Sequence, residues 1–201
     1  MKLRTPMTLL AALCLVCPVA MAQSPSALDD WGFDPGVLAA SGSDLLRRAP
    51  DGEVDALFQA VHAAAREDGE AQAMCALFEP DADRSLDGLN AAATQLRPAS
   101  RERFATAIAN ALVAAVQSPP QAFDAGVARQ SLKSAGVTAA ILHEGFVGGL
   151  NATGNDPATR SARCQSLRWL LDAMQSRPPT ERAAMTRLLL DEGLVRLAAD
   201  G

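Results

Sequence analysis

Residues 161–175 read SARCQSLRWLLDAMQ, and the fold class turns on them. Cys164, Leu167, Leu171 and Met174 recur at i, i+3, i+7 and i+10, which lays a single apolar stripe along a helix. Such a stripe must be packed against something. Trp169 lies well off it, so its indole either packs beneath another segment or faces a partner.

The same period returns on both sides of this helix. Val54, Leu57, Phe58, Val61 and Ala65 predict a helix over 53–66, and Ala71, Met74, Cys75 and Phe78 predict another that turns Cys75 inward. Residues 86–96 and 99–117 follow as helices, the second with Phe104, Ile108, Leu112, Ala115 and Val116 on its packed side. Residues 124–134 read as a polar helix or helical turn. From 137 to 154 the run VTAAILHEGFVGGLNATG is charged only at Glu144, which predicts a helix at the centre of the fold. Gly145 and Gly149 would let a neighbour approach it closely. Gly154, Asn155, Asp156 and Pro157 then supply a stop, a cap and a first-turn proline for the Cys164 helix, and Arg177-Pro178-Pro179 separates that helix from a last one over 180–199.

No stretch alternates apolar and polar residues for long, and the chain has no tyrosine. The expectation is an all-α, single-domain helical bundle of about six to eight helices over 37–201. An extended leader over 23–36 precedes it, rich in Ser, Pro, Gly and Asp, with Trp31 and Phe33 as its large apolar groups.

The amino end has the three parts of a secretory signal: Lys2 and Arg4, an uncharged apolar run over 7–20, and Ala20-Met21-Ala22. Cleavage is expected after Ala22. Cys14 and Cys17 would leave with the signal, and the remaining pair, Cys75 and Cys164, has one intramolecular pairing in an oxidising compartment. Neither cysteine has a C-x-x-C partner, so redox catalysis and zinc lack support. No second apolar stretch is long enough to span a membrane. With Lys133 the one lysine beyond the signal and alanine abundant, the composition suits a bacterial protein exported to the periplasm.

Beyond residue 22 the net charge is −7, unevenly spread: residues 23–96 carry −10 and residues 97–201 carry +3. Nucleic acid is a poor partner for that surface, because phosphate binding rests on clustered positive charge. A basic protein is a better one. The most acidic turn, EPDADRSLDG at 79–88, offers Glu79, Asp81, Asp83 and Asp87 as candidate partner contacts, alongside Trp31, Phe33 and Trp169. Its alternating acids start like a calcium loop, but Leu86 and Ala92 stand where such a loop needs glycine and glutamate, so no metal is expected.

The sequence contains no catalytic signature, and no cofactor is implied. His143 and Glu144 are titratable groups inside an apolar run, yet neighbours on a helix point about 100° apart and make no ready dyad. Size, export signal, disulfide and acidic front half together resemble the general profile of bacterial immunity proteins that block toxins delivered into the periplasm. The resemblance is one of profile, carries over no site residues, and implies a non-enzymatic inhibitor of a basic toxin or cell-envelope enzyme. The alternatives are an α-helical periplasmic carrier or chaperone with an apolar groove beside Gly145 and Gly149, and an enzyme using His143 and Glu144.

Overall fold

Proline and aspartate set many of the helix starts. Pro98 and Pro157 stand in first turns, where a missing N–H costs nothing, and the carboxylates of Asp124 and Asp156 accept the free backbone N–H groups of the helices they open. The computed structural model describes residues 35–79, 82–83 and 86–200, and among them it is all-α with nine helices and no strand. These are α1 (Pro35–Arg48), α2 (Asp51–Ala65), α3 (Asp68–Ala76), α4 (Leu86–Thr94), α5 (Pro98–Gln117), α6 (Ala125–Leu142), α7 (Phe146–Leu150), α8 (Pro157–Gln175) and α9 (Pro179–Asp200). The count passes the expected range because α7, a short turn of helix, stands apart from α6. The signal peptide, its cleavage site, Trp31, Phe33 and Asp81 lie outside the described residues.

The central element is α2, which packs against α9, α5, α3 and α8. Its Val54 joins one apolar cluster with Leu46, Ala49, Ala115 and Ala183; Phe58 and Ala65 join a second with Phe146, Leu171, Met174 and Met185; Ala64 joins a third with Ala73, Met74 and Leu96. The stripe on α8 points into the second cluster as its spacing predicts, with Leu171 and Met174 buried. Where α3 meets α8, Cys75 and Cys164 form a disulfide across 89 residues, which the chain-entropy view credits with about 4.6 kcal/mol.

Arginines hold the helix ends together. Arg187, 1% exposed on α9, donates to the carbonyls of Leu46 and Ala49 and to the Asp51 carboxylate, so one cation meets the negative end of α1 and an acid in the first turn of α2. Arg182 forks onto Asp55 at 2.8 and 2.9 Å and donates to the carbonyls of Gln175 and Arg177 at the end of α8. The buried Glu70 of α3 does the complementary task at the start of α5, accepting from Arg97 N–H at 2.6 Å, from its guanidinium at 3.1 Å and from Ser100 Oγ at 2.8 Å. Burial pushes this carboxyl up, but the Arg97 and Ser100 bonds outweigh it and hold Glu70 below the ordinary glutamate range.

Two expectations are overturned. Residues 137–154 form no central helix. α6 runs on through Val137 and ends at Leu142, with His143 as its cap; Gly145, at φ 89°, turns the chain in a conformation that a side chain would oppose, and α7 follows. Phe146 and Gly149 turn inward while Val137, Ile141, Leu142, Val147 and Leu150 stay exposed. Gly149 still serves the predicted close approach, since a methyl group there would collide with Ser166 Oγ and the Ala162 carbonyl on α8. The second correction concerns α5, which buries Ser100, Ala107, Ala111 and Ala115 and leaves Ile108, Leu112 and Val116 exposed at 48%, 46% and 75%. Alanines let α5 lie close against α2, and that contact won over burial of the larger side chains.

Candidate functional site

The surface with the most unusual chemistry is the corner built by the end of α6, α7 and the middle of α8. Val137 and Ile141 share one face of α6, Leu142 ends it, and Val147 and Leu150 continue the patch beyond the Gly145 turn. Ile141 is 78% exposed, and Glu144 is the lone charge between residues 134 and 155. Trp169 of α8 is half-buried and stacks on His143, with ring centroids 4.6 Å apart and planes within 3°. The His143 backbone closes α6 by donating to the Ala139 carbonyl, and its own carbonyl accepts from Phe146 N–H. Its ring and backbone therefore serve to seat Trp169 and the turn. Glu144 is exposed beside it and no hydrogen bond joins the two side chains among the described residues. An exposed apolar patch next to a rigid indole is the composition of an interface centre.

Two clefts lie elsewhere, and His143 and Glu144 line neither. One, of about 500 Å³, runs between α3 and α8 with Cys75 and Cys164 in its lining and Asp68, Gln72, Arg160 and Arg168 around them. The other, of about 180 Å³, is lined by apolar residues of α1, α2, α5 and α9, among them Leu45, Leu57, Ile108, Leu112, Leu190 and Leu194. The outward-turned Ile108 and Leu112 of α5 form part of its wall, and Gly145 and Gly149 line neither cleft.

The acidic stretch does not assemble as one surface. Glu79 is buried and ion-paired with Arg163, whose other amino group donates to the carbonyls of Ala152 at 3.0 Å and Gly154 at 2.8 Å. A buried carboxylate needs such a counter-charge, so Glu79 ties α3 to the loop before α8 and is withdrawn from a partner's reach. Asp83 and Asp87 are exposed. Among the described residues no group of His, Cys, Asp and Glu could hold a metal ion. No helix among them is long and apolar enough to cross a membrane.

The other histidine is also satisfied. His62 Nε2 lies 2.8 Å from Asp172 Oδ1 and its ring stacks on Phe58, one rung of a polar seam between α2 and α8. Gln59 donates to Gln175 on one side, and on the other Arg168 donates to the Arg66 carbonyl that caps α2 and to Asp68 at the start of α3. The seam fixes the register of the two helices. Of the residues singled out by sequence, Trp169, His143, Glu144 and Gly145 stand at the corner, whereas the sequence places the apolar Val137, Ile141, Leu142, Val147 and Leu150 in a central helix. The signal that marks them as surface is His143-Glu144-Gly145, a polar pair followed by a glycine, where a buried helix would continue apolar.

Comparison with protein-family models, curated proteins and solved structures found no match for this chain.

Proposed function

We propose that the protein is a non-enzymatic, exported interaction module that acts as an inhibitor or immunity protein against a toxin or cell-envelope enzyme, docking through the α6–α7 corner. The observation that carries the reading is five exposed aliphatic side chains, Val137, Ile141, Leu142, Val147 and Leu150, beside a half-buried Trp169. Burying them against a partner is favourable at about 25 cal/mol per Å² before the costs of association. The corner has almost no charge to desolvate, so the attraction to a basic partner would come from the exposed Asp83 and Asp87 and from the acidic balance of the front half.

The test is affinity capture from the envelope proteins of the source cells. The chain is expressed with its own leader and a carboxyl-terminal tag, and compared with Trp169→Ala and with Ile141→Asp/Leu150→Asp. One stoichiometric partner held by the parent chain and lost by both variants is the expected result. Equal retention by the variants, or no retained protein at low or high salt, overturns it.

The cleft lined by α1, α5 and α9 favours a second reading, a carrier for a small apolar molecule. An apolar site of about 180 Å³ has room for one ring or a short aliphatic segment. Native mass spectrometry of purified protein should then show a bound molecule that Leu112→Glu releases, and an empty parent chain would remove the reading.

A further inference from the structure

The α3–α8 cleft contains the one covalent bond in the described structure that can be broken and remade under mild conditions. Cys75 is 6% exposed, and Cys164 is half-buried; both line the open cleft of about 500 Å³, within the size range of small-molecule sites. Thiol–disulfide exchange requires a thiolate to reach one sulfur and a leaving sulfur that can depart as thiolate. Cys164 is the more accessible of the two. Arg168, paired with Asp68, lies in the same lining.

We propose that Cys164 is a site of reversible S-thiolation by a low-molecular-mass thiol admitted to this cleft. The thiolate RS⁻ attacks Cys164 Sγ; the RS–S bond forms as the bond to Cys75 breaks, and the electron pair leaves on Cys75 sulfur, which takes a proton from water. The incoming thiol is the reductant. Return is built into the fold. Around the broken bond, Asp68 still meets Arg168 and Glu79 still meets Arg163. α3 therefore stays beside α8, and the Cys75 thiolate can attack the Cys164 sulfur of the mixed disulfide and expel RS⁻, which takes a proton from water. The proposal stands whether or not a partner docks at the α6–α7 corner.

Reduced glutathione is the probe, added to the folded chain at mildly alkaline pH without denaturant. Peptide mapping should find one glutathione on Cys164 with Cys75 free. The rate should rise in proportion to thiol concentration and exceed global unfolding, followed by circular dichroism under the same conditions, by at least ~10-fold. Removing the glutathione should restore the original bond. Reduction that proceeds at the unfolding rate, or an adduct on Cys75, overturns the proposal. As a second measurement, folded Cys75→Ser should take up oxidised glutathione at Cys164; a folded variant that stays unmodified also overturns it.

Discussion

α5 and α8 read alike as sequences and are used in opposite ways. Each carries large apolar residues at helical spacing, Ile108, Leu112 and Val116 on one, Leu167, Leu171 and Met174 on the other. α8 turns its stripe into the largest cluster, where Met174 meets residues from α2, α6, α7 and α9. α5 turns its stripe outward and packs with Ala107, Ala111 and Ala115. The difference lies in the neighbours. α8 is flanked by α2, α3, α6 and α7, whereas α5 contacts mainly α2 and α1. A helix with neighbours on several sides can bury bulk, while one covered by fewer neighbours gains more from close contact through small residues.

The largest expected effect tests whether the two stripes differ in energy as they do in burial. Met174→Ala opens a cavity among Phe58, Leu171 and Met185 and is expected to lower unfolding free energy by about 2–5 kcal/mol. Leu112→Ala, already 46% exposed, is expected to cost no more than about 1 kcal/mol. Urea unfolding of both variants measures the contrast; equal losses would mean that α5 buries its large face in solution.

Ala115→Leu probes the same contrast from the other side. Ala115 is 1% exposed in the stripe that α5 packs inward, clustered with Val54 of α2, so three added carbons must push the helix outward. An overpacking loss of about 1–3 kcal/mol is expected in the same urea assay. A neutral result would show that the alanine stripe does not set the distance between α5 and α2.

Much of the fold was legible because local signals agreed. The stripes on α2, α3 and α8, the Arg-Pro stop before α5 and the Asp156-Pro157 start of α8 combine periodicity with capping chemistry. The pairing of Cys75 with Cys164 followed from setting Cys14 and Cys17 aside with the expected signal. Periodicity alone misled at α5 and at residues 137–154, because it says that a helix has an apolar face and nothing about whether a neighbour is there to cover it. The glycine at 145 was read as room for close packing, whereas its φ of 89° makes it a turn. Long-range polar ties were invisible: no local pattern foretells that Glu79 finds Arg163 or that Arg187 reaches Leu46, Ala49 and Asp51.

The smallest expected effect concerns what holds α5 in this orientation, and it is visible in acid. Glu70 is buried, and its bonds from Arg97 and Ser100 fix the first turn of α5. Its carboxyl is held below its ordinary value of 4.5, burial being outweighed by those bonds. In the unfolded chain the group binds its proton more readily, so the stability it contributes is fully present above about pH 4.5 and is lost as pH falls through the lower folded value. Glu70→Gln carries no such proton. The thermal midpoint of the parent chain should therefore fall more steeply than that of Glu70→Gln as pH is lowered from about 5 to about 3, while the variant is the less stable near neutrality. Parallel curves would mean that Glu70 is not a charged anchor of α5, and the outward turn of Ile108, Leu112 and Val116 would then rest on the alanine contact alone.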